Sequence, residues 1–164
     1  MTTLKLRGAA AAALLLLAAP AAARPGPSSA PAEAVAPAAA AAAATVDAFH
    51  AALKRGDTGA ALALLAEDAL VFEEGRAERS RSEYAAQHLA ADAAFSKSVP
   101  GRVTGRRGGA GGDLAWIATE GRTKGTYRGT AVDRATAETM MLRRTGGGWK
   151  IVHIHWSSAA SPVE

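Results

Sequence analysis

Apolar residues first recur at helical spacing near residue 46. Val46, Phe49 and Leu53 stand three or four positions apart, which places them on one face of a helix. Thr45 carries a hydroxyl side chain that favours the N-cap position, so the pattern predicts a helix from Thr45 to about Arg55. A Gly-Asp pair follows, and glycine at that position typically ends a helix.

Two further helices are expected from capping patterns. Asp57 can cap a short second helix that carries three leucines. The segment from Ser80 to Glu83 has the capping-box pattern, in which a serine and a glutamate three residues later accept each other's backbone donors. We therefore expect a third helix from Ser80 to about Phe95.

Alternating apolar residues separated by glycine clusters occupy most of the remaining chain. The strand candidates are 69–74, 98–107, 113–128, 131–145 and 148–158. We expect the glycine-rich segments Gly108–Gly112 and Gly146–Gly148 to be hairpin turns. Helices followed by consecutive strands indicate an α+β fold, with N-terminal helices packed on one face of an antiparallel sheet.

The first 44 residues differ in composition from the rest. Residues 1–23 combine Lys5 and Arg7 with an apolar run and three closing alanines, the pattern of a secretory signal peptide. Residues 24–44 are typical of a disordered or semi-extended linker, whose polyalanine end can extend the first helix backwards. The folded domain is then expected at 45–158 and a tail at 159–164. We expect export, to the periplasm or the medium, with no membrane span after cleavage.

Composition and charge exclude several kinds of site and partner. The 164 residues include no cysteine, which excludes a disulfide scaffold and a thiolate nucleophile. The net charge is only +4 and the basic pairs stand beside turns, so we expect no nucleic-acid partner. No motif indicates a cofactor. Alanine supplies much of the 49% hydrophobic fraction, which leaves the few aromatic residues as the main candidates for a core or a pocket.

The third predicted helix carries polar groups within its buried stripe. Tyr84, His88, Asp92 and Phe95 follow one another at steps of four, four and three residues, so they share one helix face. Asp92 can orient the imidazole of His88 and favour its protonated form, which makes the pair a candidate general acid or base. A structural His–Asp contact at the edge of the core explains the pattern equally well.

Three other residues are candidates for lining a site. Glu73, at the end of the first strand, can complete a polar pocket with His88 or belong to a solvated turn. Trp116 and Met140 supply bulky apolar groups on other strands. Such groups belong to the core or line an apolar cavity, the usual character of a small-molecule pocket.

The last predicted strand divides into two faces by alternation. His153 and His155 share one face with Trp149 and Ile151, and Trp156 lies on the other. Both faces carry apolar residues, so one is expected to meet the helices and the other a second subunit.

The two histidines of this strand have a spacing that is compatible with metal binding. A zinc site needs at least a third ligand, which His88 or Glu73 would have to supply from the same face. A structural or interface role for His153 and His155 is the favoured interpretation, and we expect no metal.

Three segments together resemble the nuclear-transport-factor-2-like superfamily, also called the cystatin-like α+β cone. Residues 46–57 resemble its opening helix and Gly-Asp stop, and 64–69 resemble the second helix leading into the first strand. Residues 148–157 are similar to the last strand of SnoaL-like domains and of the association domain of calcium/calmodulin-dependent protein kinase. The resemblance covers about residues 45–158.

The resemblance implies a strongly curved sheet that wraps around a long helix and encloses a pocket. It places Trp156 in the pocket, at the position of a ligand-binding arginine in the kinase domain, which makes this pocket more apolar. It places His153 and His155 on the outer face of the sheet, through which members often dimerise. Members include isomerases, dehydratases and cyclases as well as binding and assembly modules, so the fold alone does not decide the function.

Two functions therefore stay open. One is an exported homodimer that holds a small apolar or amphipathic molecule in the cone, lined by Glu73, Tyr84, His88, Asp92, Trp116, Met140 and Trp156. The other is a proton-transfer enzyme, such as an isomerase, dehydratase or cyclase. In that enzyme His88 would be the acid or base, Asp92 would orient it, and Glu73 would be a second acid.

Overall fold

The computed structural model describes residues 33–161, and the expected signal peptide at 1–23 lies outside them. Within this range no helix combines the length and the apolar character needed to span a bilayer. Along the described chain the elements are β1 (Glu33–Val35), α1 (Ala40–Arg55), α2 (Thr58–Leu64), β2 (Leu65–Glu73), β3 (Arg76–Glu78), α3 (Arg81–Gln87), α4 (Leu89–Ser98), β4 (Gly101–Gly111), β5 (Leu114–Tyr127), β6 (Thr130–Thr145) and β7 (Gly148–Ala160).

The strands form one sheet in the order β1-β4-β5-β6-β7-β2-β3, with the helices packed on its concave face. The expected α+β cone of helices on a curved sheet is confirmed. The expectation that the sheet is antiparallel throughout is wrong, because β2 runs parallel to β7 and β1 runs parallel to β4. The parallel pair β2–β7 brings the first long strand beside the last one. Parallel neighbours cannot be connected by a hairpin turn and need a longer crossover.

The first helix begins earlier than its apolar spacing predicts, and the polyalanine stretch extends it backwards as its composition allowed. α1 starts at Ala40, and the hydroxyl of Thr45, the expected N-cap, donates instead to the carbonyl of Ala41 at 3.2 Å. Ala39 and Ala42 are fully buried, so the polyalanine stretch packs against the core. Residues 33–44, expected to be a linker, therefore form β1 and the first turns of α1. The predicted stop is confirmed, since Gly56 adopts a left-handed φ of 76°.

The third predicted helix is broken at His88. Its predicted N-cap is confirmed, because the Ser80 hydroxyl accepts a hydrogen bond from the Glu83 amide at 3.1 Å. His88, however, has φ −120° and ψ −31°, and it separates α3 from α4. The ring of His88 is turned toward Glu78 on β3 rather than hydrogen-bonded to Asp92, although His88 and Asp92 remain close enough to interact electrostatically.

A β-bulge in β7 changes which of its side chains enter the cone. Ile151 pairs with Leu142 of β6 and His153 pairs with Met141, so Val152 is an extra residue without a partner on β6. Strict alternation, which put Ile151 and His153 on one face, is therefore wrong across residue 152. Ile151 is fully buried against the helices, whereas His153 faces outward.

The glycine-rich segment before β5 is strand rather than turn over most of its length. β4 continues to Gly111, and the hairpin turn is confined to residues 112–113. A Cβ atom on Gly108 would lie 2.5 Å from Cδ1 of Ile117 and 3.0 Å from the carbonyl oxygen of Trp116, so a larger residue here would displace the buried Ile117 side chain. The other expected turn, after β6, is confirmed at residues 146–147.

Candidate functional site

One row of side chains crosses the concave face of the sheet and is polar except at one position. We call it the polar row; its members are paired in register on adjacent strands and are Arg106, Thr119, Glu138, Trp156 and Glu73. The next row toward the core consists of Gly108, Ile117, Met140, Ile154 and Val71, all of them buried. On the other side of the polar row, Val103 is 51% exposed. The polar row therefore marks the boundary between the closed core and the mouth of the cone.

At the β2 end of the polar row lies a carboxyl cluster, formed by Glu73, Glu78, Tyr84, His88 and Asp92. The Tyr84 hydroxyl donates to Oδ2 of Asp92 at 2.8 Å. Nδ1 of His88 contacts the carboxylate of Glu78, which is only 2% exposed, and Nε2 of His88 accepts from Nη1 of Arg76 at 3.3 Å. We assign the ring proton to Nδ1, because Nε2 faces a donor.

Two carboxyl groups of this cluster have a raised pKa, and burial is the main cause for both. The pKa of Glu73 is raised by burial first, and then by the negative charges of Asp92 and Glu74. Burial also raises the pKa of Asp92, although the hydrogen bond from Tyr84 opposes the shift. Among the described residues no partner hydrogen-bonds or forms an ion pair with the side-chain carboxyl group of Glu73. Glu73 is thus a half-buried carboxyl group that is free to meet a ligand.

At the β4 end lies a second cluster, the histidine–glutamate cluster of Asp47, His50, Arg106 and Glu138. Nε2 of His50 is 2.8 Å from Oε2 of Glu138, and Nη1 of Arg106 is 2.6 Å from Oδ1 of Asp47. Burial disfavours the charges of His50 and Glu138, but their mutual hydrogen bond and attraction outweigh it. The pKa of His50 is therefore raised and that of Glu138 is lowered.

Trp156 stands between the two clusters. Its indole Nε1–H donates to Oε2 of Glu138 at 2.7 Å. Its ring lies 6.4 Å from Phe49, nearly parallel, and 6.3 Å from Tyr84. Trp156 is only partly buried, so its indole forms an apolar wall between Glu73 and Glu138 that is within reach of a ligand.

Of the residues that sequence analysis put in the cone, Glu73, Tyr84, His88, Asp92 and Trp156 do come together. Two do not join them. Trp116 lies on the convex face, because the neighbouring Ala115 and Ile117 of β5 point into the core, and it is 42% exposed. Met140 is on the concave side but is fully buried one row beneath the site.

The convex face also carries His153 and His155. The ring of His153 lies 5.1 Å from that of Phe72, and Nδ1 of His153 is 3.2 Å from the carbonyl oxygen of Leu70. Glu73 points to the opposite face of the sheet, where it pairs in register with Trp156. A metal site that joins both histidines to Glu73 is therefore excluded by the geometry.

The histidine–glutamate cluster was not predicted from the sequence, and neither were Thr119 and Glu78. Glu138 had a usable signal, because it shares its strand parity with Met140 and Leu142 and so points into the core. His50 had none, since its pairing with Glu138 joins α1 to β6 across the fold.

A separate surface groove of about 480 Å³ lies on the outside of the cone, beside Glu67, Asp68, Arg81, Arg143 and Lys150. Its charged groups already have partners: Arg143 binds Asp68 at 2.8 Å, and Arg81 lies 3.5 Å from Glu67. Nζ of Lys150 donates to the carbonyl oxygen of Ala63. Because these exposed pairs are already satisfied and are far from the polar row in the sheet, we place the functional site in the cone.

Comparison with known families identifies the chain. Residues 42–161 match the model of the SnoaL-like domain, so the protein belongs to the SnoaL-like family of the nuclear-transport-factor-2-like superfamily. A search of curated proteins found no match.

Solved structures agree with this assignment. A proposed ketosteroid isomerase from Shewanella frigidimarina is 35% identical, with a TM-score of 0.71, over 76% of this chain and 100% of that one. A proposed dehydratase from Streptomyces avermitilis is 20% identical over 76% and 98% of the two chains, with a TM-score of 0.61. A proposed calcium/calmodulin-dependent protein kinase II association domain from Xanthomonas campestris is 23% identical over 74% and 86%, with a TM-score of 0.58. The last two show the fold alone.

The raised pKa of Glu73 predicts a pH-dependent effect of Glu73→Gln on stability. A carboxyl group with a raised pKa favours the folded state fully below its unfolded pKa of about 4.3, and this contribution is lost as the pH rises through the folded value. Glu73→Gln should therefore match the wild type near pH 4 and be more stable than the wild type at pH 8. Urea unfolding at both pH values measures this. Glu120→Gln, at an exposed position of β5 that does not contribute to the Glu73 shift, is the control, and a Glu73→Gln variant that is less stable at pH 8 would refute the prediction.

Proposed function

We propose that this domain binds a small, mainly apolar carbonyl compound at the mouth of the cone and transfers a proton on it. The observation that carries the proposal is Glu73, a half-buried carboxyl group of raised pKa with no partner among the described residues, next to the indole of Trp156 in the sheet. A general base works best when its pKa lies near the working pH, and burial among other carboxylates shifts Glu73 in that direction.

The proposed reaction moves one proton within the substrate. The Glu73 carboxylate takes a proton from the carbon between the carbonyl group and a β,γ double bond, and returns it to the γ-carbon. The bond then lies in conjugation with the carbonyl group. Asp92 also has a raised pKa, so its protonated form can donate a hydrogen bond to the developing oxyanion while Tyr84 positions it.

In this proposal His88 is a positioning residue and not the general base. Both of its ring nitrogens are engaged, with Glu78 and with Arg76, so neither faces a substrate. We assign to it the positioning of β3 against the break between α3 and α4. The 35% identical relative, itself a proposed ketosteroid isomerase, supports isomerisation as the reaction class.

Isomerisation of a β,γ-unsaturated ketosteroid to its conjugated isomer, followed by ultraviolet absorbance, tests the proposal. Glu73→Gln should lower kcat by about 10²–10⁴-fold, the usual contribution of a positioned base. Glu120→Gln, which removes an exposed carboxylate on β5 that does not contribute to the Glu73 shift, should leave kcat within about twofold. A Glu73→Gln variant with an unchanged rate, or a wild-type protein that does not turn over any such ketone, would contradict the proposal.

We also propose that two copies associate through the convex face of the sheet. Leu70, Phe72, Leu114 and Trp116 are exposed there beside His153 and His155. Exposed apolar groups gathered on one face are typical of an interaction site. Solved relatives that share this fold include association domains, which supports a second copy as the occupant.

Trp116→Glu should convert the dimer to monomer, because it puts a charge at the centre of the proposed interface. Light scattering coupled to size-exclusion chromatography measures the molar mass. Val103→Glu, at a similarly exposed apolar residue outside that face, should leave the mass unchanged. A wild-type monomer, or equal behaviour of the two variants, would reject the interface.

Export is proposed from residues 1–23, whose charged start, apolar run and small closing residues match a signal peptide. Expression of the full chain in a bacterial host should yield a periplasmic protein that begins near Arg24. Mass spectrometry of that fraction measures the N-terminus, and a full-length product retained in the cytoplasm would count against export.

A further inference from the structure

Three buried polar atoms in the polar row have no hydrogen-bond partner among the described residues. They are Nε of Arg106, Oγ1 of Thr119 and Oε1 of Glu138. Buried polar groups in native proteins are almost always hydrogen-bonded, so three together indicate that a further group completes them. The unpartnered oxygen of Glu138 is the strongest indication of the three, since this carboxylate is charged and only 9% exposed.

The three atoms belong to consecutive positions of the row. Arg106 pairs with Thr119 across β4 and β5, and Thr119 pairs with Glu138 across β5 and β6. Directly opposite residues on one sheet face have Cβ atoms about 4.5–5.5 Å apart, so these side chains surround one small volume. His50, whose side chain is 44% exposed, connects this volume to the surface.

The charges around this volume are already balanced. The Arg106 guanidinium is paired with Asp47 at 2.6 Å, and the Glu138 carboxylate is paired with His50 at 2.8 Å. A ligand with a full charge would bring an uncompensated charge into a buried position, which is unfavourable.

The unpartnered atoms also define the direction of each missing hydrogen bond. Nε of Arg106 can only donate, and an ionised Glu138 can only accept, while the Thr119 hydroxyl can do either. One uncharged group that both accepts and donates satisfies all three. A hydroxyl group and a primary carboxamide have this property, a carboxylate cannot donate, and an ammonium cannot accept.

We propose that Arg106, Thr119 and Glu138 form a subsite for an uncharged hydroxyl or carboxamide group of the ligand. The subsite lies across Trp156 from Glu73, so the ligand has a polar uncharged end at β4–β6 and its reacting end at β2. This inference rests on ligand binding in the cone, as in the proposed function, but does not require proton transfer.

Binding of three matched probes tests the subsite without any turnover. The probes are cyclohexanecarboxamide, cyclohexanecarboxylate and cyclohexylmethylammonium, which share an apolar ring and differ in the polar group. The readout is the nitrogen-15 resonance of the Trp156 indole N–H, which is bonded to Glu138 and is identified by its loss in Trp156→Phe. The carboxamide should shift this resonance saturably, with a Kd at least about tenfold lower than either charged probe, as expected when a buried charge is excluded.

A pair of threonine variants then locates the contact. Thr119→Val keeps the side-chain shape but removes the hydroxyl, and it should raise the Kd of the carboxamide about two- to tenfold. Thr126→Val makes the same change at an exposed position of the same strand and should leave the Kd unchanged. None of the three probes can undergo the proposed isomerisation, so their binding is measured separately from proton transfer.

Three results would overturn the subsite. They are equal affinity for the three probes, no saturable shift with the carboxamide, or an unchanged Kd in Thr119→Val. Each would mean that buried water, rather than a ligand, completes the three atoms. Loss of ketone isomerisation in Glu73→Gln together with any of these results would leave the proposed function standing and the subsite refuted.

Discussion

The β-bulge at Val152 determines which residues line the site. It sets which side chains of β7 after residue 152 point into the cone. Before the bulge, Ile151 packs in the core; after it, Ile154 and Trp156 take the concave side and His153 turns to the convex face. Without this bulge the alternation of β7 would place the histidines in the cone and Trp156 outside. The wall between Glu73 and Glu138 would then be lost.

The polar row lies at a depth where a charged side chain is stable but its pKa is shifted by its surroundings. One row deeper, Met140, Ile154 and Ile117 are fully buried, and an unpaired carboxylate there would carry a large desolvation penalty. At the row itself, Glu138 is stabilised in its charged form by His50 and Trp156, whereas Glu73 has no such partner and its pKa is raised. The same row therefore holds a fixed carboxylate at one end and a protonatable one at the other.

Local sequence signals predicted most of the helices and strands, but not the contacts and register between them. Ser80 and Gly56 mark real helix ends because capping and left-handed backbone depend on neighbouring residues alone. The break at His88 depends on its contact with Glu78 of β3, and the bulge at Val152 depends on the register between β7 and β6. Because both depend on other elements of the fold, no local sequence pattern predicts them. For this reason five of the cone residues were found, while the histidine–glutamate cluster was not.

The proposed function depends on Glu73, whose carboxyl group has its pKa raised by burial and by its acidic neighbours. The most direct measurement is a carbon-13 NMR titration of the Glu73 side-chain carboxyl, with its resonance assigned by its loss in Glu73→Gln. The structure predicts a pKa clearly above the ordinary glutamate value of about 4.3. A pKa at or below that value would contradict the buried, acidic environment described for Glu73.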